Sequence, residues 1–324
     1  MEFQYSYEID PQFYETDGLD LGLPLRMHLD PYKEINGALR AQDDWSKNVR
    51  PVYGYKGGLG YPFSFIRVTV PECLPERLEI ISYANEFAFL YDDAMEKLDL
   101  KGYKDGQHHD MLDAFGDEKA LDQEATSHDG QEKKLQAQIL ANMVAIDPPR
   151  AITAMKAWSK FVQLASRTRT RPFDTLKEYI PSRVIDAGEL IWFGTLTFGM
   201  GLTIPDEELE LCMEMARPGY AALGLTNDLY SWRKERDEAA ADGLDYVFNA
   251  VWVIMQERSL SEEDAMIACA EEIRKQVAEF NIIVEKAKQD SSLSKDTRAY
   301  LEAVRYSHVG NLVWSIYCPR YHDY

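Results

Sequence analysis

Cysteines are few and widely separated in this sequence, which argues against cysteine-based sites. The chain has 324 residues and four cysteines, none of them in a CxxC pair. Disulfide frameworks and zinc sites usually need closely spaced cysteines, so we expect neither. The first residues also lack the basic segment and the apolar run of a secretory signal. These absences predict a protein of a reducing compartment, the cytoplasm.

Positive charge and long apolar runs are also scarce. The formal net charge is −20 at pH 7, from 35 Lys and Arg against 55 Asp and Glu. This balance argues against nucleic acid or an anionic membrane surface as a partner. No apolar run approaches the roughly 18 residues that a membrane span needs. An acidic protein that binds a polyanion therefore needs metal ions or local basic side chains.

Alternating apolar and polar residues, the pattern of half-buried strands, are nearly absent. Periods near 3.6 residues dominate instead, and we predict an all-α fold. Residues 63–70 favour a strand by composition but have no partner segment, so they are expected to be helical or irregular. The Gly-rich residues 53–62 are expected to form a loop, and they lack the GK[ST] ending of a phosphate-binding loop. No linker divides the chain, and 45% hydrophobic residues suffice for one core, so residues 1–324 are expected to form one domain.

Proline and glycine predict where helices begin and break. A long helix is expected over residues 75 to about 98, because proline is tolerated in a first helical turn. Glycine weakens a helix interior, so a break is expected near Ala187 and Gly188. A short helix is expected over residues 205–217, and Pro218 is expected to separate it from the next helix.

Asn227, Ser231 and Glu235 recur at intervals of four residues, which places them on one face of a helix. Together they offer an amide oxygen, a hydroxyl and a carboxylate, a set that suits a hard cation such as Mg²⁺. A polar surface stripe would have the same spacing. The preceding residues 221–225 are small and apolar, however, so this face is expected to be buried and to hold a cation.

A second acidic motif, Asp92-Asp93-Ala94-Met95-Glu96, ends an apolar helix. Asn85, Phe89, Asp92 and Glu96 are spaced by 4, 3 and 4 residues and therefore form one stripe. Carboxylates beside a long apolar run are costly unless they reach solvent or bind a cation. Acidic helix ends are common, so either motif alone is weak. The two motifs together in one chain form a specific pair.

The pair resembles the motifs of class I terpene cyclases, most closely the cyclase domain of fungal chimeric terpene synthases of the fusicoccadiene synthase type. The resemblance covers nearly the whole chain. It rests on the two motifs above, on Arg183-Val-Ile-Asp186-Ala-Gly188 and on Pro319-Arg320-Tyr321. It implies a single-domain helical bundle around a central active-site cavity. There a linear isoprenoid diphosphate would be ionised and cyclised.

The resemblance implies three Mg²⁺ ions that neutralise the leaving diphosphate. The residues that it assigns to the metal sites are Asp92, Asp93, Glu96, Asn227, Ser231 and Glu235. Asp92 is expected to bind two of the ions, and the Asn/Ser/Glu set is expected to bind the third. Asp93 and Glu96 are not expected to coordinate the metal directly, and Glu96 is expected to act through water.

The resemblance also assigns diphosphate contacts, to Arg183, Lys234, Arg320 and Tyr321. Asp186 matches an acid that pairs with the arginine at position 183. The family's effector is a backbone carbonyl at a helix break, which here belongs to Ala187 or Gly188. An ordinary surface ion pair is the alternative for Arg183.

The rest of such a site must shape a carbocation. That requires an apolar cavity that excludes water and presents aromatic faces, because a ring quadrupole stabilises a cation without attacking it. The candidates near the matching motifs are Phe89, Trp192, Trp314, Asn85 and Asn311. Phe65 is a weaker candidate, and plain core packing is the alternative for every aromatic.

The resemblance favours geranylgeranyl diphosphate (C20) as the substrate and a polycyclic diterpene as the product. Geranylfarnesyl diphosphate (C25) is the alternative within the same family. A chain-elongating prenyl diphosphate synthase is a second alternative. Such enzymes carry two DDxxD motifs, whereas this chain has one acid-rich motif, which argues against that function. A non-catalytic helical scaffold would bind neither Mg²⁺ nor diphosphate specifically. The implied partners are a second copy in a homodimer and a C-terminal prenyltransferase domain in a longer chain.

Overall fold

Helices form most of the protein. The computed structural model describes residues 3–102, 128–165, 168–169 and 171–322, apart from the side chains of residues 92, 95–102 and 128–129. The described helices are α1 (Pro31–Asn48), α2 (Phe65–Thr69), α3 (Leu78–Gly102), α4 (His128–Ile146), α5 (Pro148–Ala165), α6 (Leu176–Asp186), α7 (Glu189–Met200), α8 (Asp206–Ala241), α9 (Ala250–Arg258), α10 (Glu262–Gln289) and α11 (Lys295–Tyr317). The predicted all-α fold is confirmed.

Two short strands, β1 (Ser6–Glu8) and β2 (Arg26–His28), pair antiparallel before the first helix. Sequence periodicity did not predict them, because three residues are too few to show an alternating pattern. The ribbon lies at one edge of the helical body, where β2 contacts α2. Residues 63–70 are largely helical, as predicted, since α2 lies within them.

Polar side chains fix where several helices begin. Asp30 precedes α1 and accepts hydrogen bonds from two backbone N–H groups of its first turn. Thr175, Ser261 and Ser294 each accept one such bond at the start of α6, α10 and α11. Such caps satisfy N–H groups that have no partner inside a helix. The helix boundaries therefore follow from local chemistry that is visible in the sequence.

The predicted break near Ala187 is present. Helix α6 ends at Asp186 and α7 begins at Glu189, with Gly188 between them at φ +85°. This left-handed conformation is open to glycine and strained for other residues. The glycine therefore accommodates the break without strain and separates the two helices.

The prediction that Pro218 separates two helices is wrong. Helix α8 runs without interruption from Asp206 to Ala241, with Pro218 inside it. A proline in a helix interior removes one backbone hydrogen bond and costs about 3 kcal/mol. Burial of the neighbouring turns, where α8 packs against α10 and α11, offsets this cost. Tertiary packing thus overrides the local preference.

Helix α11 lies at the centre of the molecule. Every residue from 300 to 315 is buried, which is the pattern of a helix surrounded by other helices. It packs against α8, α2, α10 and α7. The residues that follow it, Pro319 to Tyr321, therefore emerge between the elements that carry both predicted metal motifs.

The four cysteines, Cys73, Cys212, Cys269 and Cys318, are buried and free. The prediction of no disulfide framework is thus in agreement with the structure. Among the helices that the structure describes, none is both long and apolar enough to cross a membrane.

Candidate active site

The predicted cation face of α8 lies inside the fold. Ser231 is 2% exposed, and its hydroxyl has no hydrogen-bond partner among the described residues. Asn227 and Glu235 lie one turn to either side and are half-buried. The Glu235 carboxylate accepts one hydrogen bond, from Asn249 Nδ2 at 3.0 Å. A buried hydroxyl without a partner is costly, so a ligand bound at this face would remove that cost.

These residues fit a hard cation. Asn227, Ser231 and Glu235 present three oxygen atoms of different kinds along one helix face, and the orphan Ser231 hydroxyl lies at its centre. Mg²⁺ prefers such oxygen ligands and keeps several waters. No group of three or more His, Cys, Asp and Glu side chains that could hold a metal ion is found among the described residues, and this face has only one acid, Glu235. The Asp92 and Glu96 side chains lie outside the described residues.

Arg183 is a basic residue in direct contact with this face. Its Nη2 donates to Asn227 Oδ1 at 2.6 Å, and its Nη1 donates to Asp186 at 2.7 Å. Its Nε lies 2.8 Å from Asp228 Oδ1 without the alignment of a hydrogen bond. Burial disfavours the guanidinium charge, but the surrounding carboxylates hold the pKa of Arg183 well above its usual value. At 8% exposure, Arg183 is not in a surface ion pair.

Asp228 is a buried acid next to this face that the sequence analysis did not single out. It is fully buried and accepts hydrogen bonds from the Tyr179 hydroxyl at 2.7 Å and from Ala250 N at 3.0 Å. Burial raises its pKa to about 6, against the opposing effect of Arg183. Asp228 therefore ties α6, α8 and α9 together behind the cation face. The signal was an acid placed between apolar turns of a helix.

Asp186 is held by two arginines. In addition to Arg183, Arg169 approaches it with Nε at 2.8 Å and Nη2 at 3.0 Å, and Thr168 Oγ1 lies at 3.1 Å. Burial alone would raise the pKa of Asp186, but Arg169 and Arg183 outweigh it and lower that pKa. Asp186 is therefore an ionised acid that fixes the orientation of Arg183.

The two candidate effector carbonyls differ in whether a backbone N–H already donates to them. The Gly188 carbonyl accepts the Trp192 N–H at 2.8 Å and so belongs to the first turn of α7. The Ala187 carbonyl has no backbone donor among the described residues. A free carbonyl at a helix break can accept a hydrogen bond or orient a ligand, which favours Ala187 over Gly188.

The segment after α11 connects the two motif helices. Asn227 Nδ2 donates to the Tyr321 hydroxyl at 2.5 Å, which joins this segment to α8. Arg320 Nη2 pairs with Asp93 at 2.5 Å, which joins it to α3, and Nη1 donates to Lys56 O at 3.0 Å. Arg320 and Tyr321, which are predicted to contact the diphosphate, therefore lie between the two predicted metal motifs.

Four aromatic rings, which we call the aromatic cluster, lie next to this segment. They are Phe65, Phe89, Trp192 and Trp314. The Phe65 ring lies at the centre, with centroid distances of 5.4 Å to Phe89, 5.6 Å to Trp192 and 4.8 Å to Trp314. Trp314 also stacks on Phe89 at 5.8 Å and meets Tyr321 at 5.5 Å. The sequence ranked Phe65 below the others, whereas the structure gives it the most ring contacts within the cluster.

The remaining predicted site residues are less closely connected. Lys234 Nζ pairs with Glu238 of its own helix at 3.1 Å. Asn311 Nδ2 donates to Leu223 O at 3.3 Å, and Asn85 is half-buried on α3. These positions lie on the elements of the site but do not by themselves assign a role.

The sequence of the chain matches a known protein family. The family model described as terpene synthase family 2, C-terminal metal binding, matches residues 83–279, a segment that contains both predicted metal motifs. The chain belongs to this family. The prediction of a terpene synthase with a metal-binding region is thereby confirmed, while the identity and number of the ions are not part of the match.

Curated relatives match the chain along its whole length. A bifunctional type I diterpene synthase of Aspergillus flavipes is 47% identical over 100% of this terpene synthase chain. Fusicoccadiene synthase of Phomopsis amygdali is 45% identical and a bifunctional sesterterpene synthase of Aspergillus aculeatus 43%, each over 99% of the chain. The chain covers 42%, 45% and 45% of these three proteins, so it spans less than half of their length.

Solved structures share the fold at low identity. Aristolochene synthase from Penicillium roqueforti superposes with a TM-score of 0.66 at 18% identity, covering 89% of this chain and 96% of that one. Wild-type cucumene synthase reaches 0.65 at 14% identity, covering 91% and 98%. The terpene synthase therefore has the class I terpenoid synthase fold that was predicted.

Proposed function

We propose that this terpene synthase is a class I cyclase. It would ionise a linear isoprenoid diphosphate, close the carbocation into rings and release diphosphate. One observation carries the proposal. The segment with Arg320 and Tyr321 contacts Asp93 of one predicted metal motif and Asn227 of the other, and it does so beside the aromatic cluster. Charged groups for a diphosphate and apolar faces for a cation thus adjoin each other.

The metal would be held by the residues that the two motifs supply, Asp92, Asp93, Glu96, Asn227, Ser231 and Glu235. Three Mg²⁺ ions bound there would neutralise the negative charge that builds on the leaving diphosphate oxygens. The orphan hydroxyl of Ser231 supports this assignment, because a bound cation would give it the partner that it lacks.

Arg183 would supply fixed positive charge to the same diphosphate. Its guanidinium is buried and oriented by Asp186 and Asp228, so little reorganisation is needed when the substrate enters. The Tyr321 hydroxyl and the Arg320 and Lys234 side chains would donate further hydrogen bonds. The Ala187 carbonyl, which has no backbone donor among the described residues, is the better effector candidate at the helix break.

The aromatic cluster would hold the cation after diphosphate departs. Ring faces stabilise positive charge without forming a bond to it. Their close packing also keeps water away until proton loss or water capture ends the reaction. Asn85 and Asn311 lie on the same two helices as Phe89 and Trp314, so their amides are candidates to orient the isoprenoid chain of the substrate.

Geranylgeranyl diphosphate is the substrate that we favour. The relative with 47% identity is named as a diterpene synthase, whereas the sesterterpene synthase is 43% identical. Because that difference is small, geranylfarnesyl diphosphate remains the alternative substrate of the same mechanism.

The test is an incubation of the purified protein with each diphosphate and Mg²⁺, with and without EDTA, followed by gas chromatography with mass detection. A cyclic C20 hydrocarbon or alcohol that disappears with EDTA supports the proposal. Product from the C25 substrate alone keeps the mechanism and changes the substrate. A folded protein that releases no diphosphate from either substrate would refute the cyclase function.

We further propose that residues 1–324 act as one cyclase domain. Two of the relatives are named bifunctional, and this chain covers less than half of them, which supports a prenyltransferase domain beyond the cyclase in a longer protein. The homodimer stays a prediction. The cytoplasmic location also stays a prediction, and four free, buried cysteines are compatible with it.

A further inference from the structure

Glu86 is a buried acid that the proposed chemistry does not use. It lies on α3 and is 1% exposed. Its hydrogen-bond donors include the uncharged groups Gln42 Nε2 at 2.7 Å and the backbone N–H of Gly58 at 2.9 Å. A carboxyl group taken from water to such surroundings costs free energy, and an apolar residue would fill the same space without that cost. Its presence therefore calls for a role.

The peptide groups of Gly58 connect Glu86 to the aromatic cluster. The Gly58 N–H donates to Glu86, as described. The Gly58 carbonyl accepts the Phe65 N–H at 2.9 Å and the Trp314 indole N–H at 3.0 Å. Gly58 therefore fixes both the backbone of Phe65, whose ring is the central one, and the orientation of the Trp314 ring. The position of Gly58 is set by the Glu86 carboxylate.

The backbone can approach Glu86 this closely because the two residues there are glycines. A Cβ atom at Gly57 would lie 2.2 Å from Glu86 Oε1. A Cβ atom at Gly58 would lie 3.1 Å from Glu86 Oε2 and 3.2 Å from Phe89 Cε2. The Gly-rich loop that does not fit a phosphate-binding pattern thus has a different use, which is to bring a backbone N–H against a buried carboxylate.

The same loop also holds the segment after α11. The Lys56 carbonyl accepts a hydrogen bond from Arg320 at 3.0 Å, and the Arg320 guanidinium lies over the Phe89 ring at 5.2 Å. In residues 56–58, the Lys56 carbonyl therefore contacts Arg320, which is predicted to bind the diphosphate, and the Gly58 carbonyl contacts the indole of Trp314. Glu86 holds this loop at Gly58, whereas the contact with Arg320 is made by the Lys56 carbonyl, two residues earlier.

We propose that Glu86 is a positioning residue for cyclisation. Through Gly58 it holds Trp314 and Phe65 in the arrangement that shapes the carbocation, and this inference rests on the proposed cyclase function. In this role Glu86 acts through Gly58 and not by direct contact with substrate or metal. Its loss therefore changes which products form more than it changes the rate at which diphosphate leaves.

The primary test compares two substitutions of the same kind. Glu86→Met keeps a side chain of similar length but removes both oxygen acceptors, so the Gly58 N–H and the Gln42 amide lose their partner. Glu302→Met is the matched control, because Glu302 is 5% exposed and pairs with Lys288 and Arg305, away from the cluster. Products are resolved by gas chromatography, and diphosphate release is measured in parallel.

For Glu86→Met we expect the ratio of major to minor products to change by about fivefold, the equivalent of ~1 kcal/mol in relative barriers. Diphosphate release should stay within about twofold of wild type, because Arg183 and the metal motifs are untouched. Glu302→Met should leave the product ratio unchanged. An unchanged ratio in Glu86→Met, or an equal change in Glu302→Met, would overturn the inference.

A double-mutant cycle tests the route through Trp314. Trp314→Phe removes the indole donor to the Gly58 carbonyl. In that background Glu86→Met should change the product ratio less than it does in wild type, because coupled residues are not additive. Equal changes in both backgrounds would show that Glu86 does not act through Trp314.

Gly58→Ala provides a second test if Glu86→Met does not fold. The added Cβ would lie 3.1 Å from Glu86 Oε2 and 3.2 Å from Phe89 Cε2, so the contact between Gly58 and the Glu86 carboxylate must shift by a few tenths of an ångström. Tryptophan fluorescence, taken as the difference from Trp314→Phe, reports on Trp314 without turnover. A wild-type protein that releases no diphosphate refutes the cyclase function, whereas an unshifted Trp314 signal in the folded variant, Glu86→Met or Gly58→Ala, refutes the role of Glu86.

Discussion

The guanidinium of Arg183 and the amide oxygen of Asn227 are hydrogen-bonded to each other at 2.6 Å. Arg183, which is predicted to contact the diphosphate, therefore donates to the Asn227 oxygen that is predicted to bind metal. An amide oxygen has two lone pairs, so Arg183 occupies one of the two acceptor sites of Asn227. The metal part and the diphosphate part of the site are thus coupled before any ligand arrives.

Arg183→Gln should both abolish turnover and destabilise the fold. Removing the arginine leaves Asp228 fully buried without its cationic partner, a change that costs about 3 kcal/mol or more. Lys234→Gln should lower diphosphate release as well, but its partly exposed pair with Glu238 contributes at most about 1 kcal/mol. Thermal unfolding and a diphosphate-release assay separate the two effects. Wild-type turnover in Arg183→Gln would remove it from the diphosphate site.

Ser231→Ala should abolish turnover without loss of stability. The hydroxyl has no partner among the described residues, so its removal is neutral or slightly favourable in the metal-free protein. The loss of a predicted metal ligand should reduce activity by about 100-fold or more. Activity assays across a Mg²⁺ titration and thermal unfolding without metal give both values.

Ser307→Ala is the control for Ser231→Ala. Ser307 is buried on α11, and its hydroxyl donates to Thr69 O at 2.7 Å. Its removal should cost about 1 kcal/mol of stability and leave the activity of the folded protein unchanged. The opposite pattern, with Ser231→Ala active and destabilised, would assign Ser231 to ordinary packing.

Phe89→Leu should change the product mixture, whereas Phe87→Leu should not. The two residues are close in sequence on α3 but belong to different surroundings. Phe89 stacks on Trp314 in the aromatic cluster, whereas Phe87 packs on Trp45 and Tyr91. Both substitutions keep a large apolar side chain, and each should cost about 1–2 kcal/mol of stability. If both variants give the wild-type product profile, the cluster is structural core and not the wall of the cavity.

Glu34→Gln should flatten the dependence of stability on pH. Glu34 is 2% exposed, and burial raises its pKa to about 8 from the ordinary 4.5. Between these values the folded protein holds a proton that the unfolded chain has lost. The free energy of unfolding therefore falls as pH rises through this window, by up to about 1.4 kcal/mol per pH unit. Glutamine carries no such proton, so the variant loses less stability on moving to alkaline pH.

The measurement is the melting temperature of both proteins at several pH values between about 5 and 9. Other titrating groups are common to the two proteins, so the difference between the curves isolates Glu34. Parallel curves would show that the Glu34 pKa is not raised in the folded state.

Local chemistry made part of this architecture readable from the sequence. The break at Gly188 follows from glycine itself, and the positions of Asn227, Ser231 and Glu235 on one face follow from the helical repeat. Pro218 was misread, because its effect is decided by the helices packed around α8, which no local rule describes. A proline's cost is local, whereas the packing that offsets it comes from residues far away in the chain.

The same limit applies inside the site. Phe65 and Asp228 could not be ranked from their neighbours in sequence, since the contacts of Phe65 come from α3, α7 and α11 and those of Asp228 from α6 and α9. The connection from Glu86 through Gly58 to Trp314 includes a step across 256 positions of the chain. The motifs identify which residues carry the charge, and the fold decides which residues hold them in place.

The burial of all four cysteines makes the native protein suitable for site-specific labelling without prior mutation. Cys73, Cys212, Cys269 and Cys318 are each 0% exposed, and burial raises the pKa of every one of these thiols. Thiol reagents react with exposed thiolates, so the folded protein should resist maleimides. A single cysteine introduced at Tyr53, which is 94% exposed, would then be the reactive position for a fluorophore or a spin label.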